Sequence, residues 1–281
     1  AMLDQGIVAL IFFFLLSLSI GSFLGLLVHR LPQILERNGR TNIHLLNLMF
    51  QKKSDFVSLT FPSSQCDLCA YPIRFLENIP LLSFLFLGGK CAKCKRPISK
   101  LYPAIELVTL LCSVSVLYKL GLASTLLPLL GLIWTLIALS FIDLTNKFLP
   151  DQLTIPLIWA GLLTNVLFEI TPLPEAILGA VFGYLSLWIL FWLYKLLRNK
   201  EALGYGDFKL LSAIGAWFGI NGLSPILFIA ALTGLLFSLS RFISTRSSLK
   251  EPIAFGPFLS LGAFAFLLFE EQITYSLRSL L

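Results

Sequence analysis

Long apolar segments recur along this chain, and most of them are separated by only a few polar residues. Eight can be drawn, most of them long enough for an α-helix to cross a hydrocarbon layer. Apolar residues make up 57% of the 281 and charged residues 13%, which leaves too little polar surface for a soluble domain of this length. The segments are 6–28, 104–120, 123–142, 152–170, 175–196, 207–221, 223–240 and 252–269. The sequence therefore predicts an all-α polytopic membrane protein with about eight transmembrane helices.

The longest polar stretch separates the first apolar segment from the other seven. We expect three parts: a first transmembrane helix at 1–28, a loop at 29–103 and a seven-helix membrane domain at 104–281. The first segment lacks the basic start and the small-residue cleavage site of a conventional signal peptide. We therefore interpret it as a retained span.

The basic residues predict the orientation of these segments. With the N-terminus outside, only Lys119 and Arg278 of the 21 Lys and Arg face outward, and the opposite orientation would reverse this ratio. Because cytoplasmic loops carry an excess of basic residues, we place the loop 29–103 in the cytoplasm. The net charge of +6 follows from this distribution. The basic residues form no face interleaved with aromatic residues, so no nucleic-acid partner is predicted.

Four cysteines of the long loop form two pairs with metal-ligand spacing. Cys66 and Cys69 are separated by two residues, as are Cys91 and Cys94, with 21 residues between the pairs. Two such pairs can supply four thiolates to a tetrahedral zinc ion. The alternative is two disulfides, which a reducing cytoplasm disfavours. Since four thiolates leave no open position for water, we predict a structural zinc in a small cytoplasmic loop domain between helices 1 and 2.

Two aspartates lie at the edges of apolar segments, where a charge is costly and is usually paired or functional. Asp143 follows the third segment, and Asp207 begins the sixth, directly after the glycine-containing stretch 204–206. In the predicted topology both lie at the cytoplasmic end of their segments, and so at one depth. An aspartate at a helix end can also simply face water. Asp151, a third carboxylate, is predicted to cap the fourth segment.

A pair of aspartates at one depth favours hydrolysis of a peptide bond. Two carboxylates a few ångströms apart cannot both ionise readily, so they share a proton. The ionised one can take a proton from water while the protonated one polarises the scissile carbonyl. We therefore interpret Asp143 and Asp207 as the catalytic pair of an intramembrane aspartic protease. The alternative is a transporter or ion channel that uses the aspartates as a proton relay, in which the cysteine loop would be unexplained.

Several motifs of this chain together resemble the type IV prepilin peptidase family, over nearly the whole length. They are Gly21-Ser-Phe-Leu, His29-Arg-Leu-Pro32, the cysteine pairs enclosing Glu77-Asn-Ile-Pro-Leu-Leu-Ser83, Tyr102-Pro-Ala-Ile-Glu106, the stretch from Asp143 to Asp151, Gly204-Tyr-Gly-Asp-Phe-Lys209 and Phe255-Gly-Pro-Phe258. Against that family, Asp143 and Asp207 correspond to the catalytic aspartates. The four cysteines correspond to its cytoplasmic metal-binding loop.

The resemblance implies a bacterial inner-membrane enzyme with a periplasmic N-terminus and an active site at the cytoplasmic face. It implies cleavage of the basic leader of type IV prepilins and secretion pseudopilins directly after a glycine, among membrane lipids. Members that carry the cysteine domain typically also transfer a methyl group from S-adenosylmethionine to the new N-terminal residue. No glycine-rich nucleotide loop of the dinucleotide-binding kind is visible in the sequence, so no residue is assigned to the methyl donor.

Overall fold

The computed structural model of the protein describes residues 2–43, 69, 71, 81–199, 204–245 and 253–280, with backbone alone at 2–7, 37–43, 82, 245 and 274–280. Eight helices account for most of these residues, which confirms the predicted all-α fold. They are α1 (Met2–Ile43), α2 (Leu82–Phe86), α3 (Leu101–Leu120), α4 (Leu126–Asn146), α5 (Asp151–Phe168), α6 (Leu173–Arg198), α7 (Tyr205–Thr245) and α8 (Gly256–Leu280).

Six of these helices, α1 and α3 to α7, are long and apolar enough to cross a membrane. The prediction of a multi-pass membrane protein is therefore confirmed. The predicted segments 207–221 and 223–240 both lie in α7, whose backbone leaves helical geometry at Gly219 (φ 70°, ψ −179°). Helix α1 continues to Ile43, beyond the end predicted for the first span. The short helix α2 lies in the loop between α1 and α3.

The chain divides into two compact units, 1–114 and 115–281. In the first unit, α1 packs closely on α3, because a Cβ atom on Gly21 would lie 2.8 Å from the Cα atom of Glu106. The buried carboxylate of Glu106 accepts a hydrogen bond from the backbone N–H of Leu81 at 2.8 Å and another from the hydroxyl of Ser22. This one side chain therefore ties the residue before α2 to both long helices.

In the second unit, the first half of α7 is the most deeply buried element. Residues 205–218 pack between α5, α6 and α8, and most of their apolar side chains have no solvent exposure. Glycines let α6 and α7 approach each other at backbone distance. A Cβ atom on Gly215 would collide with the backbone of Gly179, and one on Gly183 would lie 2.6 Å from the carbonyl oxygen of Leu211.

A polar network closes the end of this buried half-helix, which stops at the break at Gly219. The break removes the usual i+4 partners of the last carbonyl groups. Asn165 replaces one of them by donating from Nδ2 to the carbonyl oxygen of Ala216 at 2.9 Å. Its Oδ1 atom accepts from the backbone N–H of Thr171 at 3.0 Å, and the Thr171 hydroxyl donates to the carbonyl oxygen of Trp217 at 3.1 Å. The half-helix is thereby fixed at this end.

Candidate active site

Asp143 lies on the last turn of α4 and is buried, with 5% of its surface exposed. Helix α4 stops directly after it, because Lys147 adopts a left-handed conformation (φ 56°) and its N–H bonds the Asp143 carbonyl oxygen at 2.8 Å. The backbone N–H of Gly256, the first residue of α8, donates to Asp143 Oδ2 at 2.9 Å. A Cβ atom on Gly256 would lie 2.7 Å from that oxygen. A side chain at position 256 would therefore push this carboxylate away from the positive end of the α8 dipole.

Asp207 lies in the first turn of α7 and is also buried, with 7% of its surface exposed. Its Oδ2 atom accepts a hydrogen bond at 3.3 Å from the backbone N–H of Gly204, three residues earlier. This contact corresponds to one half of a capping box, in which the third helical residue bonds back to the residue before the helix. The glycine-containing turn therefore fixes the orientation of the carboxylate locally.

The fold brings these two carboxylates, from α4 and α7, to opposite sides of one residue, Leu149. The buried side chain of Leu149 packs between the start of α7, which carries Asp207, and the start of α8, whose Gly256 N–H bonds Asp143. A Cβ atom on Gly206 would lie 2.7 Å from Leu149 Cβ, and one on Gly256 would lie 3.3 Å from Leu149 Cδ2. In the part of the chain that the structure describes, each carboxylate accepts one hydrogen bond, on Oδ2. Among the described residues, the other oxygen of each carboxylate has no hydrogen-bond donor.

Asp151 does not cap α5, so that prediction is wrong. The capping position is occupied by Pro150, which makes no side-chain hydrogen bond to the helix, and Asp151 is the first helical residue. Both of its carboxylate oxygens accept hydrogen bonds from the ammonium group of Lys209, at 2.6 and 2.7 Å. A charged donor is a stronger partner for a carboxylate than a backbone N–H. The side chain therefore turns towards α7.

Three of the four predicted metal-ligand cysteines lie together. The sulfur atoms of Cys69, Cys91 and Cys94 are all within 4.8 Å of one another, and those of Cys69 and Cys91 are 3.9 Å apart. That separation is far longer than the ~2.05 Å of a disulfide. It matches the roughly 3.8 Å between two thiolates bound to one tetrahedral zinc. The three thiols could hold a metal ion, and Cys66 lies outside the described residues.

A tight turn builds the second half of this cluster. The N–H of Cys91 donates to the carbonyl oxygen of Arg96 at 2.9 Å, and the N–H of Lys95 donates back to the Cys91 carbonyl oxygen at 3.0 Å. Lys95 adopts a left-handed conformation (φ 58°) to close the turn. Cys91 is thereby buried at the base of the turn, and Cys94 lies at its tip.

Sequence reasoning named no role for four residues that organise these sites. Gly256 and Lys209 stood in motifs of the family resemblance, but a motif does not show what its members touch. Leu149 is apolar and carries no signal of its own. Glu106 did carry one, because a charge inside the predicted second span is costly unless it is paired.

Comparison with known proteins places the chain in a family. Residues 15–120 match the family model for the bacterial peptidase A24 N-terminal domain, and residues 130–239 match that of the type IV leader peptidase family. The chain is 45% identical over 264 residues to the prepilin leader peptidase/N-methyltransferase of Aeromonas salmonicida, which covers 93% of this chain and 91% of that protein. The chain belongs to the type IV leader peptidase family. The Pseudomonas aeruginosa protein of the same name is 43% identical over 261 residues, covering 92% of this chain and 90% of that protein. No solved structure matches at a significant level.

Membership of the type IV leader peptidase family confirms the resemblance seen in the motifs and makes the chain an enzyme. It disfavours the alternative of a transporter or ion channel. The matched region 130–239 contains both Asp143 and Asp207, and the matched region 15–120 contains all four cysteines of the predicted metal site. The two sites therefore lie within the parts of the chain that define the family.

Proposed function

We propose that this chain removes the leader of type IV prepilins or secretion pseudopilins after a glycine, and then methylates the new N-terminal residue with S-adenosylmethionine. The observation that carries the proposal is the pair of buried carboxylates from α4 and α7, each with an oxygen left for a reacting group. In this proposal the enzyme lies in the bacterial inner membrane with its N-terminus in the periplasm. Asp143 and Asp207 then act at the cytoplasmic face, among membrane lipids.

The geometry supports general acid–base hydrolysis by the two aspartates. Because two nearby carboxylates share one proton, one of them accepts a proton from water while the other donates a hydrogen bond to the scissile carbonyl oxygen. The water oxygen then bonds to the carbonyl carbon, and the shared proton passes to the leaving nitrogen as the C–N bond breaks. The donors Gly256 N–H and Gly204 N–H hold one oxygen of each carboxylate, which orients the other oxygens for this work.

Methylation must follow cleavage on chemical grounds. Before the leader is removed, the nitrogen of the future N-terminal residue belongs to a peptide bond, and its lone pair is delocalised into the carbonyl group. After cleavage it is an amine, which can attack the activated methyl carbon of S-adenosylmethionine as the carbon–sulfur bond breaks and a proton leaves the nitrogen. This transfer needs no paired carboxylates, so we assign Asp143 and Asp207 to cleavage alone.

The cysteine cluster supports a structural zinc site made by Cys66, Cys69, Cys91 and Cys94. The thiol spacing within the described three fits a tetrahedral ion, and four thiolates would complete its coordination. On this proposal, purified protein contains about one zinc per chain, and Cys91→Ser loses it. Cys112→Ser, on α3, is the matched control and keeps its metal. Metal analysis that finds no zinc in the wild-type protein would refute this part.

The decisive experiment incubates the purified, reconstituted chain with a full-length prepilin and labelled S-adenosylmethionine, and follows cleavage and label separately by gel and mass spectrometry. Wild type should shorten the substrate and label the new N-terminus. Asp207→Asn should do neither on the full-length prepilin, but should label a pre-cleaved pilin segment. If this variant labels neither substrate, the two activities share the aspartates. If the wild type leaves the prepilin intact, the proposed peptidase activity is wrong.

A further inference from the structure

A charged pair outside the aspartate site joins α5 to α7, the helix that carries Asp207. Lys209 on α7 donates to both carboxylate oxygens of Asp151 on α5, at 2.6 and 2.7 Å. The pair is partly exposed, with 28% of the Lys209 side chain and 51% of the Asp151 side chain accessible. The pair therefore does not serve to neutralise charges buried in the core. The proposed hydrolytic mechanism does not use it.

Along the chain, each residue of this pair follows one of the catalytic aspartates at a short distance. Asp143 and Asp151 lie on either side of the short connection 147–150 between α4 and α5. Asp207 and Lys209 lie in the first turns of α7. The Asp151–Lys209 contact therefore ties the start of α5, which follows Asp143 by one short connection, to the first turns of α7, which carry Asp207.

Few other contacts can set the distance between these elements. Helix α4 packs mainly on α8, with a smaller contact to α5, whereas α7 packs on α5, α6 and α8. The spacing of Asp143 and Asp207 is thus relayed through intermediates. Three such contacts are the hydrogen bond from Gly256 N–H to Asp143, the packing of the Leu149 side chain, and the ion pair between Asp151 and Lys209. Of these, the ion pair is the one that holds α7 from the side away from the aspartates.

Helix geometry explains why that side matters. Residues two apart on a helix point about 200° away from each other, so Asp207 and Lys209 lie on nearly opposite faces of α7. A hold on Lys209 resists rotation of the first turn about its axis. Because side chains extend about 5–6 Å from the axis, a rotation of about 10° moves the carboxylate of Asp207 by about 1 Å. A shift of that size can cost a large factor in rate.

We infer that Asp151 and Lys209 form a positioning pair, which sets the rotation of the first turn of α7 and thereby the spacing of the catalytic aspartates. The inference rests on the proposed function of Asp143 and Asp207 in cleavage. A partly exposed ion pair adds little to stability. Its loss should therefore appear in turnover and leave the folded state intact.

The test compares prepilin cleavage by full-length variants reconstituted in the same vesicles. Asp151→Asn and Lys209→Gln should each lower kcat about 10- to 100-fold, with KM and unfolding temperature close to those of the wild type. Lys209→Arg keeps a charged donor of similar reach and should retain most of the turnover. The charge-exchanged double variant Asp151→Lys/Lys209→Asp should recover much of what the single variants lose.

The controls separate this inference from the proposed function. Asn221→Ala removes another side-chain link to α7, a 2.9 Å hydrogen bond from Asn221 to Glu175 beyond the break, and should keep kcat within about twofold. If the wild type cleaves, Asp143→Asn does not, and both single-charge variants stay within about threefold of wild type, the positioning role is wrong and the peptidase assignment stands. The positioning role would also be wrong if the single variants raised KM and left kcat unchanged. It would be wrong, too, if neither Lys209→Arg nor the charge-exchanged double variant recovered turnover. If the wild type does not cleave, the proposed function itself has failed.

Discussion

The two ends of the buried half-helix 205–218 both hold polar side chains in apolar surroundings, but they use them in opposite ways. At the end beside Gly219, Asn165 engages both its amide nitrogen and its amide oxygen with backbone groups. At the other end, Asp143 and Asp207 each accept one hydrogen bond, within the part of the chain that the structure describes. Burial does not distinguish the two ends, since 2% of Asn165, 5% of Asp143 and 7% of Asp207 are exposed.

The difference shows how a polar group inside a membrane protein reveals its role. A buried network in which each group has its partner stabilises one structure, because leaving any member unpaired costs free energy. A pair of buried carboxylates with spare acceptor oxygens gains nothing for folding and is available to a substrate. The Asn165 network should therefore control stability, and the aspartate pair should control activity. Variants at the two ends, and at positions between and beyond them, should therefore separate the two properties.

The largest effect should come from Asp143→Asn or Asp207→Asn. Asparagine keeps the shape and loses the shared proton, so cleavage should fall by about 10³-fold or more. The double variant should be no worse than the worse single variant, because the pair acts as a unit. The unfolding temperature in detergent should stay the same or rise, since the variant removes the repulsion between two buried carboxylates. A lowered unfolding temperature with proportionate activity loss would make this end structural as well.

The next effect should come from Asn165→Ala. The variant leaves the carbonyl oxygen of Ala216 and the N–H of Thr171 without their partner, at a cost of about 2–4 kcal/mol in the free energy of unfolding. Activity per folded molecule should remain close to that of the wild type at low temperature. Thr171→Val, which removes only the bond to Trp217, should cost less. If Asn165→Ala lowers kcat in fully folded protein, the two ends are coupled and the contrast between them is too simple.

The sequence alone predicted much of this arrangement, for identifiable reasons. Long apolar segments are set by the length of the bilayer, so the spans could be drawn, including the division of α7 close to Gly219. The cysteine pairs could be recognised from their spacing, because the two cysteines of each pair are close along the chain. The role of Gly256 could not be predicted, since its N–H meets Asp143 across a sequence distance of 113 residues. Asp151 was misassigned because its partner Lys209 lies on another helix.

A smaller effect should come from Gly215→Ala, which tests how the half-helix is held between its two ends. The added methyl group would collide with the backbone of Gly179 on α6, and overpacking of this kind typically costs about 1–3 kcal/mol. Because α7 must shift to relieve it, activity should fall together with stability. Gly131→Ala on α4 is the matched control, since a Cβ atom there meets nothing within 4 Å. Equal unfolding temperatures for the two variants would show that the close approach is not needed.

The smallest effect should come from Glu175→Gln, which weakens an exposed polar link to the same helix. Asn221 donates to Glu175 Oε2 at 2.9 Å, a distance like that from Asn165 to Ala216. If length decided the strength of a hydrogen bond, the two bonds would contribute equally to stability. If burial decides it, water replaces the exposed bond and little stability is lost. The variant should change the free energy of unfolding by less than about 0.5 kcal/mol and leave cleavage unchanged. If Glu175→Gln instead destabilised the protein as much as Asn165→Ala, burial would not explain why the Asn165 network contributes to stability. The contrast between the two ends of the half-helix would then rest on the carboxylates alone.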